Sequence, residues 1–277
     1  MANPIKRCAI INDFSGFGRC SLSVSLPIIS AMGIQCCTVP TAILSNHTGY
    51  SSYFFESFTD KMQSYIKEWQ KLELDFDLIS TGFLGCSEQF DIVKSFINDF
   101  KQSKTIIVVD PVMADNGKIY STYTDEMCSK MKDLISVADV ITPNITEACI
   151  LSGEKYDGEE ISFEKAKSLC QKLNNNKKTS VVITGIINSE DICSFVYDKY
   201  SDSFFKVCTP RVKKAYPGTG DLFTSVICAS LLNQSELKEA VSLASKFIYD
   251  AASYSINFDT DINDGLIYEP FLKTLIN

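Results

Sequence analysis

Apolar and polar positions along this chain fall into blocks of two lengths. Short apolar runs occur at Cys8-Ala9-Ile10-Ile11, Cys36-Cys37-Thr38-Val39, Leu78-Ile79-Ser80, Ile106-Ile107-Val108-Val109, Val140-Ile141 and Val181-Val182-Ile183. Each is too short for a helix and apolar on successive residues, as expected of a strand covered on both faces. Between them, stretches near 20–32, 59–71, 88–102, 123–136, 145–152 and 162–175 carry helical patterns. Such alternation predicts an α/β fold of three layers, a mainly parallel central sheet between two layers of helices. After Ile183 the pattern changes, because Cys193–Tyr197 and Phe204–Val207 flank a polar stretch and read as a hairpin. Helices are expected at about 221–232, 236–256 and 264–276. The polar stretch Asn174–Lys178 is too short to separate domains, so residues 1–277 are expected to form one domain.

Composition narrows the function. A net charge of −8 argues against nucleic acid and anionic membrane surfaces, which both need a basic footprint. No apolar stretch approaches the ~18 residues of a membrane span, and Met1–Arg7 runs straight into a strand with no leader pattern. The eleven cysteines, among them Cys36, Cys37, Cys128, Cys149, Cys170 and Cys228, are scattered through core-like segments without Cys-x-x-Cys pairs. They are expected to be reduced, buried thiols, which suits a cytoplasmic protein. A single histidine, His47, excludes histidine-rich metal sites.

The run Tyr216-Pro217-Gly218-Thr219-Gly220-Asp221 ahead of the apolar Leu222–Ala229 carries the most chemistry. Pro217 interrupts what precedes it, and two glycines around a threonine leave backbone N–H groups free to face an anion. A helix starting near Asp221 adds the positive end of its dipole. Asp221 has two readings. It is an N-cap, worth about 1 kcal/mol, or a base that deprotonates a hydroxyl attacking a phosphorus held by those N–H groups. Arg211, Lys213 and Lys214 just upstream are either a solvated strand end or the local positive charge that an acidic nucleotide-binding protein needs.

Two further strand ends are rich in oxygen. Asp110 closes the run Ile106–Val109, with Asp115-Asn116-Gly117 soon after, and Thr142-Pro143-Asn144-Ile145-Thr146-Glu147 follows Val140-Ile141. Carboxylates, amides and hydroxyls are hard ligands suited to Mg²⁺ or K⁺ at the sheet edge where open α/β folds bind ligands. Taken singly, Asp-Asn-Gly is ordinary turn chemistry and Thr-Pro-Asn an ordinary helix entry.

In order and spacing, Leu44–Tyr50, Val109–Asp115, Thr142–Glu147 and Gly218–Asp221 resemble the pyridoxal kinases of the ribokinase superfamily, from about Cys8 to the C-terminal helices. The nearest relatives outside that branch are the hydroxymethylpyrimidine kinases of thiamine synthesis. The resemblance implies ATP-dependent phosphorylation of the 5′-hydroxymethyl group of pyridoxal, pyridoxine or pyridoxamine. The alternatives are a hydroxymethylpyrimidine kinase or a catalytically silent B6-binding protein. It further implies small-molecule substrates only, a homodimer, Mg²⁺ arriving with ATP, and a monovalent cation such as K⁺. Asp221 would be the base, with the N–H groups of Gly218, Thr219 and Gly220 on the moving phosphoryl group. Asp115 and Glu147 would be the Mg²⁺-associated acids, while Asp110, Thr142 and Thr184 would hold the monovalent cation. These last three, with Asn144, Glu147, Gly185, Lys213 and Thr219, would also lie along the nucleotide. Thr48 and Tyr120 would contact and shield the vitamin ring, and His47 is either a ligand contact or a satisfied turn residue. Two positions depart from the family pattern. Asp13 stands where many pyridoxal kinases have a serine against the pyridine nitrogen, and Phe83 stands where a tyrosine is common.

Overall fold

The computed structural model describes residues 5–156, 158 and 160–276, so Met1–Pro4 of the N-terminal stretch lies outside the described residues. Its strands and helices follow one another as β1 (Arg7–Phe17), α1 (Leu22–Ala31), β2 (Gln35–Asn46), β3 (Phe55–Ser57), α2 (Thr59–Lys71), β4 (Leu78–Thr81), α3 (Ser87–Phe100) and β5 (Ile106–Val109). Then come β6 (Ala114–Asp115), β7 (Lys118–Ile119), α4 (Asp125–Ile135), β8 (Val140–Ile141), α5 (Ile145–Ser152), α6 (Phe163–Leu173), β9 (Ser180–Asn188), β10 (Asp191–Asp198) and β11 (Ser203–Pro210). The helices α7 (Thr219–Leu232) and α8 (Leu237–Ser255) complete the order, with 3-10 turns at Ile262–Asp264 and Glu269–Leu275. The helix expected over 264–276 is therefore a 3-10 segment, with Pro270 in its first turn.

Nine strands form one sheet in the order β11-β10-β9-β8-β5-β4-β1-β2-β3. The pairings from β2 through β1, β4, β5 and β8 to β9 are parallel, and only the outer strands β3, β10 and β11 run antiparallel to their neighbours. Successive strand residues face opposite sides, which sorts the core into two halves. Ala9, Ile11, Ile79, Ile107 and Val109 pack with α2 to α6, while Cys8, Ile10, Leu78 and Val108 pack with α1, α7 and α8. The three-layer α/β/α arrangement with a mainly parallel sheet is thus present.

Two features depart from the sequence reading. Strands β1 and β2 run on beyond their apolar cores, pairing Phe14 with Ile43 and Phe17 with Asn46, and β3 joins them through Leu44 and Phe55. In β1 the added residues are polar, glycine or aromatic, and in β2 Pro40 and Thr41 separate Ala42-Ile43-Leu44 from the apolar run, so the pattern stops short of the strands they extend. The thiol expectation also needs correction, because Cys193 and Cys208 stand directly opposite on β10 and β11 and form a disulfide. Antiparallel register brings such pairs close together, whatever their separation in sequence. Of the free cysteines, Cys149, Cys170 and Cys228 are buried, whereas Cys36, Cys37 and Cys128 are only half-buried.

Candidate active site

Strands β4, β5 and β8 stop in one row beside Asn12 of β1, which itself runs on. Hydrogen bonds from Gly82 N–H to Ile11 O (2.8 Å), Asp110 N–H to Thr81 O (3.0 Å) and Thr142 N–H to Val109 O (3.1 Å) hold β1, β4, β5 and β8 abreast. Asn12, Gly82, Asp110 and Thr142 consequently stand side by side at the edge where ligands bind in such folds.

Helix α7 begins over that row. Its N-cap is Gly218, in the left-handed conformation at φ 76°, and the helix starts at Thr219 rather than near Asp221. Asp221 therefore occupies the third helical position, and its reading as an N-cap is corrected. A carboxylate there still meets the positive end of the helix dipole. Its Oδ1 accepts Asn12 Nδ2–H at 2.9 Å, and its Oδ2 accepts the Ser21 N–H at 2.8 Å. Burial, with a smaller push from the Asp13 charge, raises the Asp221 carboxyl to about 6 despite those two hydrogen bonds.

Asp110, only 8% exposed, accepts the Thr224 hydroxyl at 3.1 Å, and Thr224 and Thr142 hydroxyls lie 3.0 Å apart. A cavity of about 10 Å³ is lined by Asn12, Asp110, Asp221 and Thr224. Burial and the Asp221 charge push the Asp110 carboxyl well up. Glu147, 3% exposed, is likewise raised by burial and by Asp110. Its carboxylate accepts N–H groups of Met113 (3.0 Å), Ala114 (3.4 Å) and Asn144 (2.8 Å), and its own N–H returns to Asn144 Oδ1. That capping box fastens the start of α5 to the β6–β7 hairpin. Asp115 is exposed at the hairpin turn, its two oxygens taking the backbone and side-chain N–H of Asn116. The charges of Glu147, Asp115, Asp110 and Asp221 all reach the Tyr120 phenol, which burial, ahead of those charges, pushes upward. Thr184 forms a bridge beside Asn144 and is followed by Gly185 at φ 74°.

Not every candidate joins this cluster. Lys213 is exposed and pairs with Glu190 at 3.4 Å. Thr48 is an exposed turn residue. The His47 ring contacts the carbonyl of Asn263 through Nε2 at 2.7 Å and accepts the Gly49 N–H through Nδ1, so both nitrogens are occupied within the fold. Asp13, 7% exposed, accepts the Ser15 hydroxyl at 3.1 Å, and burial raises its carboxyl. Phe83 lies beside Asn12, to which its N–H donates. Sequence reasoning missed Asn12, Ser21 and Thr224. Thr224 had a signal, since it follows Asp221 by three residues on one helix face; the other two act across some two hundred positions.

Buried carboxyls at a parallel-sheet edge beside a glycine-capped helix start define a kinase of the ribokinase-like fold, a phosphotransferase. The chain belongs to the phosphomethylpyrimidine kinase family, whose profile matches residues 24–264. A Bacteroides thetaiotaomicron protein with a provisional phosphomethylpyrimidine kinase name is 41% identical, with a TM-score of 0.96 over 99% of this chain and 95% of its own. Its orthorhombic crystal form with pyridoxal is 40% identical, with a TM-score of 0.93 over 98% and 96% of the two chains. Pyridoxal kinase of Lactobacillus plantarum is 25% identical, with a TM-score of 0.90 over 98% and 96%. The chloroplastic thiamine biosynthetic bifunctional enzyme TH1 of Arabidopsis thaliana is 27% identical over 87% of this chain, which spans 45% of that enzyme's length. Relatives thus include kinases named for vitamin B6 and for thiamine synthesis. Among the described residues, no helix is long and apolar enough to cross a membrane.

Proposed function

We propose that the chain transfers the γ-phosphoryl group of ATP to the 5′-hydroxymethyl group of pyridoxal, pyridoxine or pyridoxamine. One observation carries the phosphoryl-transfer chemistry. Asp221 in the first turn of α7, Asp110 beside it and Glu147 within reach of the Asp110 charge form one group of buried acids, and among the described residues none of them forms an ion pair with lysine or arginine. Buried acids that raise one another in this way ionise together only with cations at the site.

Asp221 takes the proton of the acceptor hydroxyl, and its raised carboxyl is matched to that role near neutral pH. The N–H groups of Gly218, Thr219 and Gly220 point at the anion in flight. Mg²⁺ supplies charge neutralisation on the transferring phosphates when bound. The acids present fit an ion carried in on the nucleotide and reached through water, because Glu147 and Asp115 already spend oxygens on N–H groups. Asp110, Thr142 and Thr224 offer the hard oxygens a monovalent cation such as K⁺ takes, with Thr184 and Asn144 on the adjoining strand end. Tyr120 and Phe83 border the space for the ring, and Gly185 with Lys213 extends toward the nucleotide. The likeness to a protein crystallised with pyridoxal favours the B6 vitamers. The family's own name favours the second reading, a hydroxymethylpyrimidine kinase. A homodimer completes the proposal, with Phe17 at the end of β1 and Phe54 just before β3 exposed at 59% and 60%.

A coupled ADP-release assay with each B6 vitamer and with hydroxymethylpyrimidine tests the reading. Highest kcat/KM on a B6 vitamer is expected, and preference for the pyrimidine would replace it with the second. Light scattering gives the mass.

A further inference from the structure

Asn12 lies outside the motifs that carry the family likeness, yet its side chain reaches the proposed base. Nδ2 of Asn12 donates to Oδ1 of Asp221 at 2.9 Å, while its own Oδ1 accepts the N–H of Phe83 at 2.8 Å and of Asp13 at 3.0 Å. Backbone N–H groups can only donate, so they fix the amide oxygen toward themselves and turn its NH₂ toward the carboxylate. Asn12 is 4% exposed, near the end of the buried run Cys8–Asp13 of β1 and beside a register slip between Asn12 and Phe14. Packing closes around it, because a Cβ on Gly82 would lie 2.6 Å from the amide carbon and nitrogen. With Ser21 N–H on Oδ2, each Asp221 oxygen holds one donor and keeps a lone pair free.

We propose that Asn12 is the positioning residue for Asp221, holding Oδ1 in the direction from which it takes the proton of the acceptor hydroxyl. This rests on Asp221 being the base. Three segments, β1, the turn after β4 and α7, are registered to one another through this one amide.

Steady-state kinetics with ATP and pyridoxal, and a melting curve for each protein, test it on Asn12→Ala, Asn12→Asp, Gly82→Ala and Asp221→Asn. A base displaced by about 1 Å can lose about 10²-fold in rate, so Asn12→Ala should lower kcat by about 10–10²-fold with both KM values within about twofold. Asn12→Asp keeps the acceptor for Phe83 and Asp13 but sets a second carboxylate against Asp221, and should lose at least as much. Gly82→Ala keeps the amide and displaces it, so it should reproduce the kcat loss. Combined with Asn12→Ala the losses should not multiply, since both act on one contact.

Wild-type turnover in Asn12→Ala, multiplying losses in the double variant, or a pyridoxal KM that rises with the fall in kcat would each overturn the proposal. Should Asn12→Ala not fold, Gly82→Ala decides it alone: unchanged kcat overturns it. An active Asp221→Asn removes the base reading and this proposal with it. An inactive Asp221→Asn beside a normal Asn12→Ala removes the positioning role only.

Discussion

A Cβ placed on Gly218 would lie 2.0 Å from the carbonyl oxygen of Arg19. The glycine caps α7 at φ 76°, where any other residue is strained. Backbone cannot swing aside as a side chain can, so the helix start is locked against the turn that follows β1.

Gly218→Ala should therefore lose most activity and much stability, because the conformation costs about 1–2 kcal/mol before the clash is counted. Gly33→Ala is the control. Gly33 also has positive φ, at 79°, but nothing lies within 4 Å of its Cβ position, so only the conformational cost should appear. Urea melts of the two variants compare them directly, and equal midpoints would remove the contact with Arg19 from the argument.

Asp221→Asn should cut kcat by about 10²–10⁴-fold with small changes in KM. The pH profile supplies a second check. A base works only when deprotonated, and burial lifts this carboxyl from 3.8 to about 6. For the wild type, kcat/KM should rise with pH through about 6 and be lost on acidification. The residual activity of the Asn variant should lack that limb.

Asp115 and Glu147 should separate cleanly. Asp115→Ala, at an exposed turn, is expected to raise the Mg²⁺ concentration for half-maximal rate with the melting temperature unchanged. Glu147→Ala releases three backbone N–H groups and breaks a capping box, at a cost of about 2–3 kcal/mol, so it should melt earlier. Calorimetry beside a Mg²⁺ titration distinguishes them; a Mg²⁺ response untouched in both would take the two acids out of the metal site.

The pair Cys193 and Cys208 should survive as a linked peptide in a non-reducing digest. Their sequence separation of 15 corresponds to about 3 kcal/mol of lost chain entropy in the unfolded state. Reduction, or Cys208→Ser, should lower the urea midpoint accordingly, and free thiols at Cys193 and Cys208 in the untreated protein would contradict the bond.

The parallel sheet was legible because strands covered on both faces must be continuously apolar, as Ile106–Val109 is. Strands β3, β6 and β7 were not, since two or three residues carry no periodicity. Within the site, Asp221, Asp110 and Glu147 announced themselves through local turn chemistry. Asn12 could not, because its role depends on a neighbour 209 positions away. His47 is a different case. Its sequence left a ligand contact and a satisfied turn residue equally open, and the ring contacts with Asn263 and Gly49 fit the second.

Those ring contacts belong to a wider clasp. Tyr50 Oη donates to Asp264 at 2.7 Å, and Arg19 bonds both the Asp264 carbonyl and Glu269, across sequence separations of 214, 245 and 250. During synthesis, Arg19, His47 and Tyr50 emerge from the ribosome long before residues 263–269 exist to meet them. This clasp is therefore assembled late, and a nascent chain stalled short of that turn carries the whole parallel sheet with the turn after β1 and the end of β2 unfastened.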